Sequence, residues 1–479
     1  MKPKVIPENT AFIGRQDELK QLASIANRRE ASIIVTYGRR RVGKTELLEQ
    51  AFRDRNILKF EGIEGQPEST QKVNVLAELA QYCEDPYIAK LQLESWKDIF
   101  SLIAKHIDKQ KITLYFEEVQ WLANYHTDFI AELKYVWDNQ FRYNENLLLI
   151  LCGSSPSFMI SKVIKSKALY NRSQWELPID PLSFTEAKAF LPNYDIRSMM
   201  DAYLTVGGIP EYLKRLKQSS SVFISLCQQS FTKGGFFSTE YHRIFISSLA
   251  ENKHYKAIIE FLSDRKFATR NEILKHLKVT SNGDITELLT DLVACGFIDQ
   301  YTPFNATQTS RLIRYQVTDN YLQFYFKFIK PIEKRINNKD FQENPSSTIK
   351  LDTYYKWLGF SFERFCCRNH TLIAKQLGFS GVHYNVGPFF NRDTEKNQSG
   401  FQIDLIFERD DRVYTICEIK YLQSKVDSSV IEEVERKLAL FPSKKKYTIQ
   451  LVLISAFGAE KSLIDRAYFD NIITLENLL

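Results

Sequence analysis

The sequence predicts a multidomain α/β chain, on three observations. A short β-branched run leads directly into a glycine-rich loop and a helix near residue 40. Helical periodicity between 251 and 295 gives way to alternating strands that end by 317. Two apolar strands joined by a charged turn follow near 400–420, bearing acids and a lysine. At about 100–200 residues per domain, 479 residues suggest three such units. Hydrophobic residues make up 44% and charged residues 25%, ordinary globular usage that excludes a disordered or collagen-like chain. No apolar run approaches about 18 residues, so no membrane-spanning helix is expected. Met1 to Asn9 lacks the apolar core of a signal peptide. The net charge, 64 − 58 = +6, neither requires nor excludes nucleic acid. Seven cysteines, none in a C-x-x-C pair, argue against a zinc knuckle or a disulfide framework. A reducing, cytoplasmic compartment is expected.

Ser32 to Tyr37 reads as a buried strand. Gly38-Arg39-Arg40-Arg41-Val42-Gly43-Lys44-Thr45 follows, then a helical run from Glu46 to Phe52. The glycines let the loop curl so that its N–H groups face phosphate oxygens, and the helix N-terminus adds positive potential. Lys44 then reaches the β- and γ-phosphates of ATP, and Thr45 holds Mg2+. The three arginines read as a variable, solvated part of the loop. Ile112 to Phe116 reads as a second strand ending in Glu117-Glu118. In P-loop enzymes the first such carboxylate orders Mg2+ and the second polarises the attacking water. Glu117 stands where aspartate is usual, so binding with impaired or slow hydrolysis is expected. A third strand, Asn146 to Cys152, ends at Gly153-Ser154-Ser155. Ser154 is the candidate contact to the γ-phosphate or the water, with ordinary turn chemistry as the alternative.

These segments resemble the prokaryotic archaeal-type ATPases of the AAA+/STAND group over residues 11–215. The resemblance rests on Phe12-Ile13-Gly14-Arg15-Gln16-Asp17-Glu18-Leu19, the loop from Tyr37 to Thr45, the strand end Phe116 to Trp121, Gly153-Ser154-Ser155, and Gly207-Gly208-Ile209-Pro210-Glu211-Tyr212-Leu213. It implies that the opening segment lies near the adenine and that Gly208 to Pro210 approaches the nucleotide from a helical lid. Leu169-Tyr170-Asn171-Arg172 resembles an L-Y-G-R segment of the family. That implies Arg172 as an arginine finger or sensor, acting in trans only within a homo-oligomer. On the residues alone it reads as a solvated charge.

Tyr255 to Leu262, Thr269 to Leu277 and Asp284 to Cys295 read as helices, the second capped by Thr269. Ile285, Leu288, Leu289, Leu292 and Val293 share one face of the third. Gly296-Phe297-Ile298 opens a strand, Asn305 to Ser310 is a polar loop, and Leu312 to Val317 returns. This is a winged-helix pattern, and the matching segment of the same family looks like it. The third helix carries Asp284, Glu287 and Asp291 and no basic residue, which argues against insertion among DNA phosphates. Lys275, Lys278, Arg311 and Arg314 only flank it, so a packing role is expected. Tyr321 to Ile329 is an aromatic stripe at helical spacing, read as core rather than as a base-stacking platform. Asn337 to Thr348 is polar and reads as a linker.

Gly400 to Glu408 and Val413 to Lys420 read as a hairpin joined by Arg409-Asp410-Asp411-Arg412. Period-2 alternation puts Glu418 and Lys420 on one face, where Asp404 can join them. Asp404 and Glu418 are candidate ligands of Mg2+ or Mn2+, and Lys420 a candidate for activating water or stabilising developing charge. The segment resembles the PD-(D/E)xK nuclease superfamily in the form fused to these ATPases. That resemblance implies Glu363, on a preceding helix, as a further metal ligand. The alternative is a packing domain whose acids and lysine form a surface salt bridge.

The expected architecture is a P-loop NTPase parallel sheet with a helical lid over 1–245, a winged-helix domain over 246–335, a linker over 336–350 and a restriction-endonuclease-like α/β domain over 351–479. The expected function is Mg2+-dependent ATP hydrolysis coupled to a metal-dependent DNA nuclease-like domain, in DNA processing or defence. Two alternatives stay open. One is an ATP-driven switch that binds protein partners through an inactive nuclease-like platform. The other is a winged-helix DNA-binding regulator.

Overall fold

The structure, a computed structural model, describes residues 7–107, 109–167, 169, 172–219, 221–249, 252–279, 283–304, 313–391, 400–444 and 446–478. Tyr170, Asn171, the loop Asn305 to Ser310, Arg311 and Leu312 lie outside the described residues.

Five strands form the first sheet: β1 (Ser32–Tyr37), β2 (Asn56–Glu61), β3 (Ile112–Glu117), β4 (Leu147–Gly153) and β5 (Trp175–Pro178). They run parallel in the order β2-β3-β4-β1-β5. Every residue of β3 and β4 is buried. Such continuous apolar strands suit a parallel sheet covered on both faces. Separate apolar clusters lie around Phe100, Phe116 and Leu133 and around Leu22, Leu47 and Ile150. Because β4 sits between β1 and β3, the carboxyl ends of these strands bring Gly38, Glu117-Glu118 and Ser154 to one edge. Ligands of open α/β sheets bind at that edge.

Where the lid is expected, the helices Ile196–Val206, Pro210–Arg215, Val222–Phe231 and Phe236–Ser248 follow. The next module consists of the helices Lys253–Ser263, Arg270–Leu277 and Gly283–Ala294 with three short strands, β6 (Ala268–Thr269), β7 (Ile298–Tyr301) and β8 (Arg314–Val317). These strands pair antiparallel in the order β6-β8-β7. The acidic helix Gly283–Ala294 packs on the short helix Pro156–Phe158 of the first domain. Tyr321, Phe324, Tyr325 and Ile329 are buried, the core role expected of that aromatic stripe.

The last sheet holds β9 (Tyr384–Asn391), β10 (Phe401–Arg409), β11 (Val413–Lys420), β12 (Thr448–Ser455) and β13 (Asn471–Ile473), in the order β13-β12-β11-β10-β9. The β9-β10 and β10-β11 pairs are antiparallel, and β12 and β13 join in parallel. Helix Val430–Leu440 makes the crossover from β11 to β12, which parallel pairing requires. Helix Leu351–Arg368 packs on β10 and β11.

One expectation needs correction. The segment 336–350 is not a free linker: Ile336 and Ile349 are 1% and 6% exposed, and the turn Pro345–Thr348 packs on the lid helix Val222–Phe231. The last domain has two smaller apolar clusters of its own, around Phe389 and Ile403 and around Val430 and Leu453. One apolar cluster runs from Leu182 in the lid through the middle module to Leu478. No helix among the described residues is long and apolar enough to cross a membrane.

Candidate functional site

The loop Gly38–Thr45 hangs between β1 and helix Lys44–Ala51. Its glycines are required by space and backbone. A Cβ on Gly38 would lie 2.2 Å from the Ile179 carbonyl oxygen, and Gly43 has φ 89°, the left-handed region open to glycine. A Cβ on Gly43 would meet the Pro210 ring at 3.9 Å, so the lid element Gly208–Pro210 covers the loop. Gly208 is equally constrained, because its Cβ would fall 1.9 Å from the Leu182 carbonyl oxygen. Arg15, in the opening segment, donates to the Val42 carbonyl at 3.1 Å and braces the loop from behind.

Lys44 is buried. Its ammonium donates to the carbonyls of Gly38 at 2.8 Å and Arg39 at 3.2 Å. Thr45 donates its hydroxyl to Oε1 of Glu117, which also accepts from the Tyr115 hydroxyl at 2.9 Å. Oε2 of Glu117 lies 2.6 Å from the Lys59 ammonium, which also reaches Glu49 at 3.2 Å. A threonine hydroxyl beside a carboxylate is an oxygen-donor set suited to Mg2+. Glu118 has left-handed backbone, φ 53°. Its Oε2 accepts from the Ser154 backbone N–H at 2.9 Å and from Gln120 Nε2 at 2.7 Å. Gln120 Nε2 also reaches Ser154 Oγ at 3.2 Å. Glu118 and Ser154 are thus tied together at the ends of adjacent strands.

Lys59 and Gln120 were not anticipated from the sequence. The signal for Lys59 was a charge between the apolar residues Leu58 and Phe60 of the strand Asn56–Glu61. Gln120 offered none, because its role depends on the turn after Glu118.

The arginine run also differs from expectation. Only Arg40 is exposed. Arg39 is 5% exposed, forms an ion pair with Asp319, and lies over the Phe297 ring at 4.8 Å. Arg41 donates to Glu240 of the lid at 3.0 Å and sits over Phe236. These side chains are drawn inward because buried carboxylates await them: Glu240 is 1% and Asp319 7% exposed. Arg172 makes a two-pronged pair with Asp138, at 2.8 and 3.0 Å, on the helix Asp128–Asn139.

In the last domain, the hairpin register sets Leu405 opposite Cys417. The pairing of β10 with β9 shifts between Ile403 and Ile406, next to Asp404, a place where an irregular strand re-aims a side chain. Asp404 accepts from the Ile419 N–H at 3.2 Å. Burial, then Glu418 and Glu363, raise its pKa to about 7. Burial also raises that of Glu363. Glu418 is 3% exposed and lies 2.8 Å from Lys420. Lys437, absent from the sequence reading, donates to both Glu418 oxygens at 3.0 and 2.8 Å. Glu433 accepts from Lys420 at 2.9 Å and lies 3.2 Å from Lys437. Burial works against the Lys420 ammonium, but Glu418 and Glu433 outweigh it and raise its pKa. Among the described residues, no three His, Cys, Asp or Glu side chains are grouped to hold a metal ion. The expected set Glu363, Asp404 and Glu418 therefore does not fit a metal as arranged.

Residues 12–216 match the family described as an ATPase domain predominantly from Archaea. An uncharacterized protein of Methanocaldococcus jannaschii is 27% identical over 435 residues, covering 90% of this chain and 92% of that protein. An uncharacterized ATP-binding protein of the same organism is 41% identical over 46 residues, 10% of this chain and 78% of that protein. Among solved structures, a Walker-type ATPase of Pyrococcus abyssi aligns with a TM-score of 0.47 at 15% identity, covering 68% of this chain and 99% of that one. The ORC2 protein of Aeropyrum pernix aligns with a TM-score of 0.43 at 12% identity, covering 71% and 96%.

Proposed function

We propose that this chain is an ATP-hydrolysing switch, in which nucleotide at the loop Gly38–Thr45 sets the state of the lid, the winged-helix-like middle module and the C-terminal domain. The observation that carries the proposal is the fate of the two loop arginines. Arg41 is anchored in the lid at Glu240 and Arg39 in the middle module at Asp319. A loop that rearranges around phosphates must move or strain both pairs.

The residues supply the steps as follows. Loop N–H groups and Lys44 would bind the phosphates, with Lys44 exchanging its carbonyl partners for phosphate oxygens. Thr45 and Glu117 would hold Mg2+, which when bound neutralises phosphate charge. Glu118 would accept the proton of the attacking water, and Ser154 and Gln120 fix where its carboxylate points. Pro210 covers the loop and limits water entry. Beyond the loop, Asp319 accepts from the Leu322 N–H at 2.7 Å and so caps the next helix. The neighbouring Thr318 carbonyl accepts from Arg368 at 2.6 Å. Arg368 lies on the helix that carries Glu363, which gives a continuous route from loop to last domain.

The test is hydrogen exchange with and without ATP and Mg2+, on wild type and Lys44→Ala. ATP should change protection in 236–248, 314–325 and 351–368 in wild type only. Bound ATP with no change outside residues 12–216 would sink the switch.

A second reading keeps the C-terminal domain as a nuclease. The convergence of Asp404, Glu418 and Lys420 on one hairpin, beside Glu363, supports it. Cleavage of supercoiled and linear DNA with Mg2+ or Mn2+, with and without ATP, against Lys420→Ala, decides it. Identical products from both proteins would end it. The DNA-binding regulator finds little support, since the acidic helix Gly283–Ala294 already packs on the first domain.

A further inference from the structure

We infer that Lys437 is the resident cation of the C-terminal carboxylate cluster, holding the seat that a divalent metal would take in a nuclease-like site. The inference rests on the nuclease-like reading of this domain, and its test separates the two.

The geometry is specific. Lys437 is 7% exposed, and a buried ammonium requires partners. It has them in both oxygens of Glu418, at 3.0 and 2.8 Å. An ammonium within hydrogen-bond reach of both oxygens fills the face of the carboxylate that a bidentate cation uses. A Mg2+ or Ca2+ ion bound at about 2.0–2.6 Å from those oxygens would share that face with a positive charge. In a low-dielectric site two such cations repel strongly. Lys420 sits at 2.8 Å from Oε1 of the same Glu418, so one oxygen faces two ammonium groups. Glu433 then closes the cluster, at 2.9 Å from Lys420 and 3.2 Å from Lys437.

The lysines also offset the two acids they touch. Two lysines face Glu418 and Glu433, so these four groups sum to zero, and only Asp404 and Glu363 beside them are left to attract a divalent cation. Glu433 and Lys437 stand four residues apart on helix Val430–Leu440, and i, i+4 neighbours share one helix face. The helix therefore delivers its carboxylate and its ammonium to the same place. Lys437 thus holds both oxygens of Glu418, and a divalent ion that used Glu418 as a bidentate ligand would have to displace it.

The full chain, without nucleotide, is titrated with Mn2+ while thermal unfolding and heat of binding are followed. Wild type should show no Mn2+-dependent rise in Tm beyond that of Asp404→Asn, a variant that leaves the Glu418–lysine pairs intact. Lys437→Met should unfold at lower temperature in chelator. It should then gain a Mn2+-dependent rise of several degrees and at least a tenfold tighter Kd for Mn2+. Lys437→Arg, which keeps the charge, should stay insensitive to the metal.

A wild-type response to Mn2+ that Asp404→Asn loses would overturn the inference. So would a folded Lys437→Met that gains no Mn2+ binding. Should Lys437→Met fail to fold, the comparison of wild type with Asp404→Asn still decides. Absence of DNA cleavage in every protein would end the nuclease reading and leave this result standing. Mn2+ bound at Asp404 in wild type would end this inference whether or not DNA is cut.

Discussion

At the scale of single residues, the loop lysine and threonine were legible because their chemistry is tied to a short, fixed spacing. Their surroundings were not. Glu117 was read as an isolated departure from aspartate. The structure adds that Lys59 neutralises it through Oε2 while Thr45 and Tyr115 occupy Oε1. If Glu117 holds Mg2+ as proposed, the metal and Lys59 compete for one carboxylate. Lys59→Met should lower the Mg2+ concentration that half-saturates ATP hydrolysis several-fold, at a stability cost on the order of 1–3 kcal/mol for an unpaired carboxylate. An unchanged or higher Mg2+ requirement would show that Lys59 does not compete. Gly208 gives a cleaner steric case. Its Cβ would lie 1.9 Å from the Leu182 carbonyl oxygen, so backbone must shift. Gly208→Ala should cost about 1–3 kcal/mol, read as a lower Tm, and should weaken ATP binding because Pro210 moves with it. A variant matching wild type in both would refute the close approach.

At the scale of elements, the strands were legible and their neighbours less so. Ser32–Tyr37, Ile112–Glu117 and Leu147–Gly153 announced themselves as apolar runs, and the hairpin at Phe401–Lys420 by its two runs around a charged turn, whereas Asn56–Glu61 and Trp175–Pro178 went unread. Segment 336–350 misled because it is polar on average; two isoleucines, Ile336 and Ile349, pin it to the core. The inward turn of Lys437 follows from how helix Val430–Leu440 packs on the sheet, where it touches β10, which spacing alone does not define. Short elements can also carry a pH response. Ser183 and Glu186 form a capping box at helix Phe184–Ala187. Glu186 also accepts from the Arg15 backbone N–H at 2.7 Å, tying the opening segment to the lid. Burial alone would raise the Glu186 pKa, but the hydrogen bonds from Arg15 and Ser183 outweigh it and lower it below 4.5. A lowered folded pKa stabilises above the unfolded value and is lost as pH falls through the folded one. Glu186→Gln should therefore cost about 1 kcal/mol at pH 7. That difference should shrink as pH drops below the ordinary carboxylate range. A difference that is constant with pH would remove the charge from the account.

At the scale of the whole molecule, the sequence suggested modules in a row, whereas the structure joins them through buried charge. The Arg39–Asp319 pair spans 280 residues of sequence, and no local pattern announces such a partner. Both side chains are about 6% exposed, so removing either leaves a buried, unpaired charge, an effect on the order of 3–5 kcal/mol. Arg39→Ala and Asp319→Ala should each destabilise the chain by an amount of that order. The double variant should cost clearly less than the sum, because residues in one ion pair do not act independently. This cycle measures the mechanical joint alone. The functional claim needs a second readout, since a merely structural pair would show the same non-additivity. If the joint carries nucleotide state, Asp319→Ala should still bind ATP at the loop within about tenfold of wild type, because Asp319 lies outside the phosphate cradle. It should nevertheless lose the ATP-dependent change in hydrogen exchange over 351–368. The proposed order of events would then be that phosphate binding displaces Lys44 from its loop carbonyls, the loop drags Arg39, and Asp319 and Thr318 pass the movement to Arg368. Retention of the full response at 351–368 in Asp319→Ala would leave the pair as a structural clasp. It would also shift the search for the route to Arg41 and Glu240.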